Sequence, residues 1–442
     1  MRAYLDIVKL VWPLALGMVN NAVMQFVDRA YLAHWSLQAL EAVLPAGILM
    51  WIFAGFFQSV VGYSSVFVAQ YHGAGEPHRC FSVYRVAMAL SVLAGALSLP
   101  ICPLGNWMLV LSAPSEAVYA LERDYFTVTM LGSFFIYGQM AAASLFTGRG
   151  RTRIVFWVNL LGNLLNIALD PLFIFTFGLG IAGAAYATVL SMAVQFVVLT
   201  VVANREAGWK PWPLEFGLAG RILRFGVPSG VYTILNMLSF TIFVFVTGGV
   251  GELELAVSNA CFTLNYLIAA PREGFALGAS TLVAQAIGRG DRPAADLAAR
   301  RTTLLGVLFV VAMAAFVLAF RRPVLSLFAA QVPSESLAAF HSLALTLLAL
   351  MSLWLVFDAT DIILSGALKG AGDTGFVMIW MLFCGFALWM PAVFAVRAWH
   401  NTMPILWSTL VIYVIILCIG SCWRWKHGAW RSIDIVGREQ EK

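Results

Sequence analysis

The residues best placed to do chemistry are oxygen-bearing side chains repeated at helical spacing inside strongly apolar stretches. Asn159, Asn163, Asn166 and Asp170 follow one another at intervals of 4, 3 and 4. Asn21, Gln25 and Asp28 do the same at 4 and 3. Such spacing puts each set on one face of a helix. A carboxylate at membrane depth costs roughly 2.5–3.5 kcal/mol on insertion scales, so both stripes must face a cavity or a polar partner. At ~1.5 Å per residue, Asp28 lies about 30 Å along its helix from the inner face, Asp170 about 24 Å and Thr188, on a descending helix, about 18 Å above that face. With tilt, these positions share one broad layer. Two carboxylates, an amide oxygen and a hydroxyl form a hard-oxygen set suited to Na⁺ or to a shared proton. Asp28, Asn166, Asp170 and Thr188 are therefore the candidate cation-coupling residues and the candidate Na⁺ ligands. The plainer reading is hydrogen-bond glue between helices.

A second group of charges lies later in the chain. Asp358, Asp361, Ser365 and Lys369 recur at 3, 4 and 4. Arg272 and Glu273 follow Pro271 inside another apolar stretch. These either pair internally or line a cleft. With Asn21, Gln25, Asn163 and Asn236 they are the candidate substrate or cleft residues: Arg272, Glu273, Asp358 and Asp361. Arg29 reads as an interfacial anchor. Pro13, Pro228, Pro271 and Pro391 sit inside spans, and each frees a backbone carbonyl and permits a bend.

The elements that must carry these residues are membrane helices. Of 442 residues, 61% are hydrophobic and 11% charged, and the mean hydropathy is +0.86. So few charges do not cover a water-facing surface, so lipid is the solvent. Twelve stretches are long and apolar enough to span: 7–33, 43–69, 81–111, 118–147, 154–177, 180–203, 219–249, 255–287, 299–329, 337–367, 374–396 and 404–424. With both termini on the cytoplasmic side, the inner segments collect Arg2, Lys9, Arg79, Arg149, Arg151, Arg153, Arg205, Lys210, Arg221 and Arg224. They also collect Arg289, Arg292, Arg300, Arg301, Lys369, Arg424, Lys426, Arg431, Arg438 and Lys442. The positive-inside rule supports that count and orientation. The first apolar stretch contains Asn20, Asn21 and Asp28 and is expected to stay as a span and not be cleaved as a signal. No basic stripe with interleaved aromatics suggests nucleic acid. The six cysteines have no metal-binding spacing and read as apolar filler. Neither G-x-x-x-x-G-K-[ST] nor H-E-x-x-H nor G-x-S-x-G is present, so no enzyme activity and no cofactor are expected.

The chain also repeats itself. Ser65 and Val68-Ala69-Gln70 recur as Ser280 and Val283-Ala284-Gln285, 215 residues on. Gly73 and Gly75 recur as Gly288 and Gly290, Pro13 as Pro228, and Asn21 as Asn236, at the same offset. Pro114-Ser115-Glu116 recurs as Pro333-Ser334-Glu335 at 219, and Gly148, Gly150 and Thr152 as Gly370, Gly372 and Thr374 at 222. Spans 1–6 therefore repeat as spans 7–12, and an even number gives both halves one orientation. The expected fold is an all-α polytopic membrane protein with two six-helix lobes about a pseudo-two-fold along the membrane normal. Its parts are an N-lobe at 1–203, a cytoplasmic linker at 204–218, a C-lobe at 219–424 and a cytoplasmic tail at 425–442. The carboxylate pair is not repeated: Asp28 maps onto Phe243, and Asp170 near Ala392.

In this order the motifs resemble the multidrug and toxic compound extrusion (MATE) transporters across nearly the whole chain. They are WPLALGMVNNAVMQFVDRAYLAHW in span 1, the doubled VAQ-x-x-G-x-G, FTGRGRTR with its counterpart LSGALKGAGDT, and N-x-x-x-D at Asn166 and Asp170. The resemblance implies two lobes in a V and an antiporter that exports amphipathic, often cationic drugs or metabolites against Na⁺ or H⁺ by alternating access. It implies that Asp28, Asn166, Asp170 and Thr188 form the first-lobe cation site, and it matches Asp358 to an acid that some members use. The acid which those members carry on span 7 is missing; Asn236 is there instead. The implied setting is the cell membrane, the partners a small-molecule substrate and the bilayer, the state a monomer, and the only co-reactant Na⁺ or H⁺. The alternative is a flippase for a lipid-linked precursor of the same superfamily, which needs a basic cleft.

Overall fold

The computed structural model describes residues 2–112, 115–208, 215–329, 333–400 and 402–437. Pro114, Lys210 and the middle of the expected linker, and Arg438 and Lys442 at the end of the expected tail, lie outside the described residues. Among the described residues, twelve helices are long and apolar enough to cross a bilayer: α1 (Tyr4–Trp35), α2 (Leu37–Gly73), α3 (Pro77–Ser98), α4 (Glu116–Gly148), α5 (Thr152–Thr176), α6 (Gly180–Ala207), α7 (Phe216–Gly248), α8 (Glu252–Gly288), α9 (Arg292–Ala319), α10 (Leu337–Gly370), α11 (Thr374–Trp399) and α12 (Met403–His427). Backbone groups in hydrocarbon must bond within their own segment, which is why apolar runs of this length fold as helices.

Two expected spans are shorter than their apolar runs. The third ends at Ser98 and is followed by a separate short helix, Ile101–Ser112. The ninth ends at Ala319 and is followed by Arg321–Ala329. Pro100 lies at the first break and the Arg321–Arg322 pair just after the second. A proline cannot supply a ladder N–H, and two guanidinium groups favour the interface. The short helices occupy matching places in the two halves, so the repeat extends to them.

Each repeated glycine motif closes a helix. Gly75, Gly150, Gly290 and Gly372 have φ of 78°, 75°, 77° and 94°. In each turn a later N–H reaches back to the helix, as from Glu76 to the Tyr71 carbonyl (2.9 Å) and from Asp291 to that of Ala286 (3.0 Å). These are glycine-capped helix ends, where the left-handed residue carries no Cβ penalty.

The two copies of VAQ-x-x-G meet each other. Gln285 Nε2 donates to the Gly148 carbonyl (2.8 Å), and Gln70 Nε2 to the Gly370 carbonyl (3.4 Å). A Cβ on Gly73 would overlap the Gln285 carbonyl, and one on Gly288 would overlap the Gln70 carbonyl. The contacts are reciprocal under the residue matches of the repeat, which puts the pseudo-two-fold axis at this point. The seam continues along α1–α8, where Gly274 lies against Ala15 and Gly278 against Val11. It continues along α2–α7, where Gly230 lies against Phe56 and Gly226 against Val60. Ser59 Oγ and Thr233 Oγ1 share a hydrogen bond there (2.9 Å). Small residues allow this close backbone approach between membrane helices.

Candidate functional site

Helices α1 and α5 lie side by side in a fixed register. Thr152 Oγ1 donates to the Leu10 carbonyl (2.9 Å) near one end. Asn163 Nδ2 donates to Asn21 Oδ1 (2.8 Å) further along. The carboxyl groups of Asp28 and Asp170 then meet, close enough to share a hydrogen bond. The same residue difference, 142, separates all three pairs. The two polar stripes thus face each other, and equal helical rise carries the register from the glycine turn at Gly150 to the acid pair.

Asp170 is 0% exposed, Asn166 0% and Asn163 2%. Asn166 Nδ2 donates to Thr188 Oγ1 of α6 (3.4 Å). One oxygen of Asp28, the amide oxygen of Asn166 and both oxygens of Asp170 are buried with no hydrogen-bond donor. Among the described residues no donor satisfies these four acceptor oxygens. Buried acceptors are normally paired, and a positively charged guest or a proton would satisfy this set. The structure therefore brings together all four candidate cation residues. Asn159, the remaining member of the stripe, accepts from Gln139 Nε2 of α4 (3.0 Å) and belongs to the scaffold.

The local chain explains the placement of Asp170. Pro171 follows it and lacks an N–H, so the Ile167 carbonyl loses its ladder donor. The helix continues as a π-helical turn, Leu172–Thr176. Such turns are common at functional sites. α11, the counterpart of α5, also contains a π-helical stretch, Phe383–Trp389.

The later candidates do not join this site. Arg272 of α8 forms an ion pair with Asp358 of α10, both side chains largely buried. Asp361 accepts from Ser421 Oγ of α12 (2.6 Å), and Ser365 lies 3.4 Å from the same hydroxyl. Lys369 Nζ sits 3.7 Å above the Tyr232 ring of α7. The α10 stripe thus divides among partners on three helices. Glu273 and Asn236 are exposed. Gln25 accepts from Tyr266 Oη across the lobes (3.3 Å).

Sequence reasoning missed four residues. Pro45 and Pro171 also lie inside helices. Tyr125 of α4 packs against the cluster of Leu32 and Ile174, each one turn beyond Asp28 and Asp170. Glu122, one turn before it, is 0% exposed, and neither oxygen has a partner. Its i, i+4 spacing with Val118 and Phe126 was the available signal.

Twelve apolar helices, two lobes related by an internal repeat and a buried oxygen cluster within one lobe define a polytopic membrane transporter. Comparison with known proteins gives the family. The MatE family model matches residues 13–172 and again 228–394. The two matches begin at Pro13 and Pro228, 215 residues apart, as in the repeat. The chain belongs to the MatE family of multidrug and toxic compound extrusion transporters.

Among its relatives, a probable multidrug resistance protein NorM of Thermotoga maritima is 23% identical, covering 99% of this chain and 95% of that protein. The multidrug resistance protein PmpM of Pseudomonas aeruginosa is 24% identical over 97% of this chain and 92% of its own length. Among solved structures, an outward-facing multidrug resistance MATE family transporter of the MOP superfamily superposes with a TM-score of 0.85. It is 22% identical and covers 97% of this chain and 96% of its own.

Proposed function

We propose that this protein is a secondary active antiporter of the cell membrane, with both termini in the cytoplasm. It exports amphipathic or cationic drugs or metabolites in exchange for Na⁺ or H⁺. The observation that carries this reading is the acid pair: two carboxyl groups in contact, flanked by an amide oxygen, with buried oxygens that no protein donor satisfies. Asp28, Asn166, Asp170 and Thr188 would hold a Na⁺ by their oxygens, or the two acids would hold a proton between them. The names of the bacterial relatives support drug export.

Transport needs the ion to bind two conformations with different affinity. Asp28 belongs to α1, and α1 forms the lobe seam through Val11 and Ala15. Occupancy at Asp28 is thus linked, along one helix containing Pro13, to the contact that must open. A flippase would need cations free in the cleft. Arg272 is engaged by Asp358, which favours efflux.

The test is ethidium transport in proteoliposomes with the Na⁺ and pH gradients imposed separately. One gradient should drive uphill movement. If neither does, the antiport reading is wrong.

A further inference from the structure

Beyond that reading, the chain after α12 carries a device of its own. Gly428 ends α12 with φ 75°. The chain turns through Ala429–Ser432. Trp430 is 1% exposed, stacks on Trp425 with centroids 4.4 Å apart, and donates from Nε1 to the Trp425 carbonyl (3.0 Å). Trp425 in turn donates to Asp296 of α9 (2.9 Å). This first part is fixed in the second lobe, among Ala279, Val283, Ala367 and Leu368.

The next residues reach the seam between the lobes. Ile435 is 1% exposed and sits in a cluster that joins Tyr63, Phe67, Val68 and Leu145 of the first lobe to Leu218, Ile222 and Ala284 of the second. Ile433 and Val436 pack against the same cluster. Ile433 and Ile435 also fill the space beside Gly372, where a Cβ would meet their side chains at 2.7–2.9 Å. Arg221, at the start of α7, donates to the Val436 carbonyl. Gly437 N–H donates to Asp434 Oδ1 (2.8 Å), which folds the end back on itself. One short segment is thus fixed in the second lobe by an indole and beside Gly372, and carries Ile435 into a cluster shared with the first lobe, at the end where the two VAQ-x-x-G motifs interlock.

We infer that residues 428–437 are a latch that holds the lobes closed at this end and sets the balance between the two faces of the transporter. When the lobes part, Trp430 stays with the second lobe while the first-lobe half of the Ile435 cluster moves away. The Ile435 side chain then loses that part of its apolar environment only in the open state. A contact present in one state alone shifts the equilibrium by its full differential. The segment therefore slows opening toward the side bearing the termini without touching the acid pair.

The test rests on alternating access and separates that premise from the latch. Nitroxides are placed at His78→Cys and Arg292→Cys, exposed positions on opposite lobes, in full-length protein lacking its native cysteines. Inter-label distances are measured by pulsed electron paramagnetic resonance across Na⁺ and pH conditions. Ile435→Asp, Ile435→Ala and a chain ending at Ser432 are compared with the parent. The latch predicts a long-distance population raised about tenfold in Ile435→Asp, corresponding to ~1.4 kcal/mol, and a smaller rise in Ile435→Ala. If one variant does not fold, the other two decide. A parent that opens, with variants that open no more than it does, overturns the latch and leaves alternating access standing. A parent that never opens under any condition overturns the premise as well.

Discussion

Replacing Gly73 by alanine tests whether the interlock at the pseudo-two-fold axis is a gate. A Cβ there would overlap the Gln285 carbonyl, which belongs to the opposite lobe and is backbone, so it cannot swing aside. Overpacking of this kind costs typically 1–3 kcal/mol. The clash exists only while the lobes touch, so the whole cost falls on the closed form. A differential of about 1–3 kcal/mol changes a two-state population roughly 5–150-fold. The assay is labelling of a Val11→Cys probe, 2% exposed in the α1–α8 seam, with an impermeant maleimide applied from the side bearing the termini. Its rate follows the open fraction. Gly73→Ala and its repeat mate Gly288→Ala should each raise it within that range. Two controls separate gating from loss of stability. Gly47→Ala meets nothing within 4 Å and should leave the rate unchanged. Gly75→Ala also meets nothing, but it forces a left-handed residue (φ 78°) to carry a Cβ. That costs about 1–2 kcal/mol in both states and should lower Tm without raising labelling. A Gly73→Ala rate equal to that of Gly47→Ala would refute the reasoning.

Other outcomes follow from the second lobe. Arg272→Ala or Asp358→Asn removes one half of a buried ion pair, which costs about 3–5 kcal/mol, whereas the double change Arg272→Met with Asp358→Leu should recover most of it. Thermal unfolding in detergent reads all three, and a double variant no more stable than the singles would contradict the pairing. Ser421→Ala removes the 2.6 Å donor to Asp361. It should cost about 1–3 kcal/mol by the same measurement, as a buried acceptor is left unmet. A Tm unchanged in that variant would mean that water or another group serves Asp361.

Much of the fold is legible in the sequence because it is written in one-dimensional terms. Apolar runs give the helices, basic residues sort the loops, and the drifting offsets reveal the repeat. The acid pair is legible for a related reason. Spans 1 and 5 run in the same direction, so a depth count from the inner face brings Asp28 and Asp170 into one layer before any contact is known. What the sequence does not show is lateral. Nothing in VAQ-x-x-G says that each copy clasps the other across the axis, because those contacts join Gly73 to Gln285 and Gln70 to Gly288, residues far apart in the chain and in opposite lobes. The α10 stripe has the same lesson: Asp358, Asp361 and Lys369 follow one helix but meet α8, α12 and α7. Hydropathy also runs on past Ser98 and Ala319, since an apolar run does not record where a helix bends away. Tyr125 escaped notice because an aromatic residue among apolar neighbours carries no mark of what it packs against.

The most direct test of the proposed coupling through the acid pair separates ion-driven transport from substrate exchange. Asp28→Asn and Asp170→Asn proteins are reconstituted, and two quantities are read in each: ethidium accumulation driven by an imposed ion gradient, and ethidium counterflow with no gradient. Coupling through the acid pair predicts that accumulation is lost in both variants while counterflow persists. Accumulation at the parent level in either variant would contradict the account.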